Sequence, residues 1–443
     1  MTASTPSIER PVPTVLDRVS RVVSDVRSGE ALTAILFGTT LFVGLFAYYV
    51  LKTVREPLIL VTGGAEVKAY ATGIQALLLM AVVPAYGALA RRLDRRRLVL
   101  GTQLVFLASV EVFALAATLR PPYLGIVFYV WLGVYVLTSV AQLWALANDV
   151  YHHGQGLRLF PLVALGAPLG SAAGALFASR VLAGESVIAW LMHAAALLLL
   201  VQLGLLAAVF RRPEAAEPKA PLGAEGGFSL VLRSPYLRWI ALLVLLLNLV
   251  STTGEFLLSR AVLDEAARGL AASGAVADER AFRETFVRGA YGDFYFVVNV
   301  ASVLVQALVA SRLVRWLGMR GVLFALPLVA LATYGLAAVG LPFVMFRALK
   351  VAENATDYSV QNTGKALLWL PTSRDEKYKA KQVVDAYFVR VGDVLSALLV
   401  LAAAQALALP PGALAIVNVV VAAAALAVAW KVSQGYERAS AGT

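Results

Sequence analysis

Stretches of about twenty residues with scarcely a charge recur along this chain. Each is long enough to cross the roughly 30 Å hydrocarbon core of a bilayer as a helix. Inside lipid a backbone must satisfy its own N–H and C=O groups, and runs of this length do so only as helices. They occupy 33–52, 70–90, 98–119, 123–147, 157–180, 186–210, 236–258, 287–311, 321–340, 342–370, 383–409 and 412–432, the tenth being the least apolar. The pattern predicts an all-α membrane protein with twelve transmembrane helices. Only 15% of the 443 residues are charged, against about 25% in a soluble domain.

Orientation is read from basic residues in loops. The loop after the second run is Arg-Arg-Leu-Asp-Arg-Arg-Arg (91–97). Arg211, Arg212, Lys219, Arg233 and Arg238 come after the sixth, Arg312, Arg315 and Arg320 after the eighth, and Arg374, Lys377, Lys379 and Lys381 after the tenth. Loops after the ninth and eleventh runs have none. Even-numbered loops and both termini are therefore expected in the cytoplasm of a bacterium, with the bundle in its inner membrane. The long external loop, 259–286, carries both signs. The net charge of +11 is orientation signal and does not point to nucleic acid. The N-terminal 1–32 is not a secretory signal, and Val15, Leu16, Val19, Val22, Val23 and Val26 predict a short amphipathic helix on the membrane surface. With no cysteine and three histidines, of which His152 and His153 are adjacent in a loop, no thiolate, haem or metal centre is expected. No cofactor, no enzyme motif and no required oligomer emerge.

A stretch rich in Pro, Ala, Gly and Glu, residues 211–229, reads as a linker. It divides the chain into an N-terminal segment (1–32), a six-helix bundle (33–210), a linker (211–235), a second six-helix bundle (236–432) and a tail (433–443). A faint echo supports the duplication: Ala90-Arg91-Arg92-Leu93 and Ala310-Ser311-Arg312-Leu313 close the second and eighth runs. Two six-helix halves joined by a cytoplasmic linker describe the major facilitator architecture. Gly166, Gly170 and Gly174 on the fifth run read as a helix-packing stripe; the run lacks the Gly-Lys-Ser/Thr ending of a phosphate-binding loop.

Polar residues at membrane depth are costly unless they face protein, water or one another. In the tenth run Arg347, Lys350, Asn354, Asp357, Gln361 and Lys365 fall within about 80° of one helix face. That face is expected to wall a polar cavity. Helix one contributes Lys52, Arg55 and Glu56. Helix four contributes Trp131, Tyr135, Thr138, Gln142, Ala145 and Asp149, and helix seven Asn248, Thr252, Glu255 and Ser259. Helix eight adds Arg288, Tyr291, Tyr295, Asn299, Ser302 and Gln306, with Asp293 near. Asp385, Arg390 and Asp393 belong to the eleventh run. Opposite charges three or four residues apart should pair at rest. The surplus cations favour an anionic substrate gripped by arginine, with Tyr129, Tyr135, Tyr291, Tyr295 and Tyr358 placed to stack on a flat ring. Glu111 is expected to be a buried partner, and His193 a packed core residue.

Several blocks resemble the ATP:ADP antiporters, the nucleotide transporters of intracellular bacteria and plastids, which belong to the wider major facilitator group. They are Tyr49-Val-Leu-Lys52-Thr-Val-Arg55-Glu56 with Gly64-Ala-Glu66; Leu143-Trp-Ala-Leu-Ala-Asn148-Asp149 with Arg158-Leu-Phe160; Asn248-Leu-Val250; and Tyr358-Ser359 with Lys365, Leu370-Pro371, Lys379-Ala-Lys381, Asp385 and Arg390. The resemblance covers about residues 40–400. It implies nucleotide exchange, or related phosphate transport, with Arg55, Asp149, Lys365, Lys379 and Lys381 among the cavity charges. The chain departs from the family pattern at Ser251, where the family has glutamate, at Gly254-Glu255, where it has Trp-Lys, and at Thr363-Gly364 and Ala366 beside the lysine.

The expected function is secondary transport by alternating access, most simply of ATP, ADP or another phosphate-bearing anion. Lys52, Arg55, Asp149, Asn248, Glu255, Asp293, Arg347, Lys350, Asn354, Asp357, Lys365, Lys379 and Arg390 are the candidate site. The alternatives are another anion or a drug-like substrate on the same fold, and a non-transporting membrane partner.

Overall fold

The computed structural model describes residues 27, 30–90, 92–151, 153–181, 186–211, 226–274, 277–406 and 410–441. The expected N-terminal amphipathic helix, most of the 211–229 linker, and His152 lie outside them. Everything described is helix or the turns between helices.

The first half comprises α1 (Ala31–Ala90), α2 (Arg95–Leu119), α3 (Leu124–Val150), α4 (His153–Ala164), α5 (Gly166–Arg180) and α6 (Val187–Val209). The second comprises α7 (Gly227–Arg233), α8 (Pro235–Ala272), α9 (Glu279–Val305), α10 (Ser311–Ala338), α11 (Phe343–Thr356), α12 (Asn362–Leu367), α13 (Lys381–Val383), α14 (Val389–Leu401) and α15 (Pro411–Ala441). Among the described residues nine helical stretches are long and apolar enough to cross a membrane. Two of them, Ala31–Ala90 and Glu279–Ala338, are 60 residues long. Each holds two of the expected runs, joined across a glycine with positive φ: Gly64 (φ 76°) and Gly318 (φ 60°). Only glycine adopts this backbone without strain, so these two positions turn long helices into hairpins. The tenth run, too polar to count by hydropathy, is helical over 343–367 through a π-helical turn at Asp357–Gln361.

Several boundaries differ from expectation. Helix one does not stop at residue 52 but runs to the kink at Gly64, and the seventh runs to Ala272. The expected loop 259–286 shrinks to a short turn, because the eighth helix already begins at Glu279. In helix one the reason is charge: Arg55, Glu56 and Lys68 lower the local hydropathy, yet they are buried and paired through Glu56, so the helix continues through them.

Close packing is set by small residues. A side chain on Gly166, Gly170 or Gly174 would stand 2.0, 2.1 and 2.4 Å from the carbonyl oxygens of Gly38, Phe42 and Phe46. The stripe on α5 thus lies directly on the backbone of α1, the packing that replaces the hydrophobic effect in lipid. Separate apolar clusters fill each half, around Phe128 and Leu191 in the first and Leu243 and Leu323 in the second. The largest cluster draws on both, joining Tyr49 and Tyr129 to Tyr291, Phe294 and Tyr334.

Candidate functional site

The two arms of the α1 hairpin place three charges where none is exposed. Arg55 ion-pairs with Glu56, its neighbour in sequence. Lys68, beyond the Gly64 turn, reaches the other Glu56 oxygen at 2.7 Å. Glu56 has no exposed surface and Lys68 only 4%. The group also ties the halves together. Lys68 Nζ donates to Ser259 Oγ at 3.0 Å and Tyr291 Oη at 3.2 Å, and the Tyr295 hydroxyl donates to Glu56 at 2.9 Å.

One turn earlier on α1, Lys52 has a different environment. Its ammonium lies 4.1 Å from the centre of the Tyr295 ring, 4.9 Å from Tyr49 and 6.0 Å from Tyr48. Among the described residues no carboxylate lies within 4.0 Å of it. Arg55 rests on the Tyr129 ring at 4.3 Å. Aromatic faces attract cations electrostatically but leave the positive charge unneutralised.

These groups border a cavity of about 170 Å³ between the halves. The first half lines it with Lys52, Arg55, Lys68, Thr72 and Tyr129, the second with Ser251, Thr252, Glu255, Tyr295, Asn354 and Tyr358. Asn354 donates to Glu255 at 3.2 Å. Three cations against Glu56 and Glu255 leave one positive charge in excess, and Lys52 is the cation without an ion pair.

Of the expected site residues, Lys52, Arg55, Glu255 and Asn354 meet at this cavity; of the others whose side chains are described, none lines it. Lys350 is sealed inside the second half with no exposure. It donates to Glu353 at 3.0 Å and to Tyr334 at 3.1 Å, while the Tyr334 hydroxyl donates to Glu353 at 2.7 Å. A side chain on Gly254 would collide with this Tyr334 hydroxyl, so the departure from tryptophan at that position makes room for the Lys350–Tyr334–Glu353 group. Asn248 and Arg390 converge on Asp393 at 2.7 Å each, joined by Thr252 at 2.8 Å, in a knot between α8 and α14. Asp293 pairs with Arg180 at 3.3 Å. Arg347 is half-buried away from the cavity. Lys365 faces Asp357 at 3.8 Å and Lys379 faces Asp375 at 3.5 Å, both beyond the cavity. Asp149 lies on α3, with its side chain outside those described.

Two stripes point elsewhere than expected. The helix-four stripe turns into its own half: Trp131 stacks on Tyr135 at 5.6 Å, and Gln142 donates to Tyr86 at 2.7 Å. Among the described side chains of α3 only Tyr129 borders the cavity. In the tenth run the π-helical turn inserts one residue and rotates the helix beyond it, so Asn354 and Tyr358 face the cavity while Lys365 does not. Lys68 and the central place of Glu56 are not among the expected features. The available signal is an acid and a base flanking Gly63-Gly64, since a glycine turn is what brings both arms of a hairpin side by side.

More links between the halves gather at the Gly64 end. Arg260 donates to Glu66 at 2.7 Å, Arg288 donates to the Ala178 carbonyl at 2.6 Å, and Arg120 lies 3.9 Å from Glu284 beside a second cleft of about 450 Å³.

No family model and no curated protein matches the chain. Solved structures do. With a mutant of the nucleoside transporter NupG it is 12% identical, with 90% of this chain and 99% of that one covered and a TM-score of 0.65. With an auto-inhibited POT family peptide transporter it is 12% identical over 92% and 97% of the two chains, TM-score 0.62. With a bacterial homologue of the iron transporter ferroportin in an inward-facing state it is 16% identical over 90% and 99%, TM-score 0.59. Identities this low speak to architecture and not to substrate. The chain is a multi-pass membrane protein with the all-helical fold of the major facilitator transporters.

Proposed function

We propose that the chain is a secondary transporter that carries a small anion by alternating access, its two halves (33–210 and 236–432) rocking about the cavity at Lys52. One observation carries the reading. A lysine at membrane depth, without a carboxylate partner among the described residues and ringed by tyrosines, opens on a cavity lined from both halves. An uncompensated charge there is costly, and an anion arriving between Lys52 and Arg55 would remove that cost.

The resemblance to nucleotide exchangers makes a phosphate-bearing anion the first substrate class to test. A cavity of about 170 Å³ is smaller than the roughly 300–1,000 Å³ of drug-sized ligand sites. In this conformation it suits a phosphate or carboxylate group, with Tyr129, Tyr295 and Tyr358 beside it for a ring. Glu255 in the same cavity supports a second reading, a substrate that carries an amine as well as an anionic group. The basic loops support an orientation with both termini in the cytoplasm of a bacterial inner membrane.

The test is uptake of labelled phosphate, ADP or ATP into proteoliposomes. Lys52→Ala should lower uptake at least about tenfold, the loss expected for one charge-assisted contact. Lys365→Ala, outside the lining, should lower it much less. Equal uptake by the Lys52→Ala and unmodified proteins would remove Lys52 from the mechanism.

A further inference from the structure

Glu111 on α2 and His193 on α6 were expected inside the bundle, but both are on its outside. Their side chains are 48% and 55% exposed, and His193 Nδ1 lies 2.8 Å from Glu111 Oε2. Both sit within about 8 Å of the midpoints of their helices, taking 1.5 Å per residue, so they are well inside the hydrocarbon. The surface around them is apolar: Leu104, Leu115, Leu197 and Leu200 are each more than half exposed. Glu111 Oε1 and His193 Nε2 make no hydrogen bond among the described residues. Ionisable groups at this depth face a bundle interior or a partner, because lipid tails supply neither donor nor acceptor.

We propose that the α2–α6 face docks a second copy of this chain, with Glu111 and His193 at the centre of the contact. A two-fold interface brings the same patch of each copy together. With one proton between Nδ1 and Oε2 and one on Nε2, this patch carries one donor and one acceptor, so the two-fold sets His193 Nε2 of each copy against Glu111 Oε1 of the other, and all four groups are satisfied at once. A headgroup cannot serve, since it lies at the membrane surface. Close approach is open as well. Ala108 is exposed one turn from Glu111, and Gly204, exposed three turns along α6 from His193, has nothing within 4 Å of where a side chain would begin. Small residues of this kind admit a neighbouring helix.

The chain has no cysteine, so single cysteines report contacts cleanly in the full-length protein in liposomes. Ala108→Cys should form disulfide-linked dimers on oxidation, while Leu328→Cys, exposed on the other half, should stay monomeric. Added to the Ala108→Cys chain, Glu111→His and His193→Glu should each reduce the dimer about tenfold, the effect of one or two interhelical hydrogen bonds. Mixing the two variants should restore cross-linking between them, since each then offers what the other lacks. That restoration is not expected of a pair acting only within one chain. The proposal is overturned if Ala108→Cys links no better than Leu328→Cys, or if the variants link as well as the parent. The Ala108→Cys comparison needs neither charge substitution, so it decides even if those variants misfold.

Discussion

Arg55 and Lys68 both pair with Glu56 in a group that is almost wholly buried. Glu56 serves two cations and a tyrosine of the opposite half. Glu56→Gln keeps the shape and removes the charge, stranding Arg55 and Lys68. Breaking a buried ion group in this way costs about 3–5 kcal/mol. The thermal unfolding midpoint in detergent should fall accordingly, and Glu56→Gln with Lys68→Met should recover part of the loss. A second ion pair lies just before the first span. Arg158 grips Glu30 with two hydrogen bonds of 2.8 and 2.9 Å. Burial raises the Glu30 carboxyl, but the hydrogen bonds from Arg158 and the Arg27 backbone, with the charge of Arg158, outweigh it and hold it below the usual carboxylate range. A carboxylate with a lowered folded value stabilises above its unfolded value and loses that contribution as pH falls through the folded one. Arg158→Ala should therefore lower the unfolding midpoint at pH 7, and the deficit should shrink as pH drops through and below the ordinary carboxylate range.

At the scale of elements, the α1–α5 contact depends on three glycines. The oxygen of Phe42 is backbone and cannot swing aside, so Gly170→Val must part the two helices. Overpacking of this kind costs about 3 kcal/mol or more. Gly87→Ala, where nothing lies within 4 Å, is the control and should not lower the unfolding midpoint, since alanine is the better helix former. The hydropathy of the apolar runs makes nearly every helix legible. The end of helix one is misplaced because a buried ion group interrupts the run, and hydropathy scores a paired charge like a solvated one. The tenth helix is legible from its polar face, but the phase of that face past Asp357 is not. A π-helical turn has no strong sequence signature, and one extra residue moves everything after it by about 100°.

For the whole molecule, the Gly64 end is where the halves are tied by Glu66–Arg260, Arg180–Asp293 and the Lys68 contacts. Alternating access requires those links to break when the cavity opens toward that end. Glu66→Cys with Arg260→Cys, bridged by a short bifunctional methanethiosulfonate, should stop uptake in proteoliposomes, and a reductant should restore it. Uptake that continues at the parent rate in the cross-linked protein would mean that the halves do not part there. The links of this band join residues more than a hundred positions apart, which no local pattern announces. Lys52, Arg55, Glu255 and Asn354 are recognisable as polar residues on helix faces, whereas Arg347, Lys350, Lys365 and Arg390 look the same in sequence and lie away from the cavity in the fold.

Length and polarity of the apolar runs determined by themselves that this chain crosses a bilayer repeatedly as helices, since in lipid an apolar run of that length satisfies its backbone hydrogen bonds only as a helix. They also determined that the charges at membrane depth must face protein, water or one another. Which partner each charge has was decided only in three dimensions. Helices are neighbours through packing, and a carboxylate such as Glu56 chooses among cations by distance and burial, quantities set by the turn at Gly64 and the approach of the second half. For the same reason Lys52 is distinguished from the other lysines by what does not lie beside it.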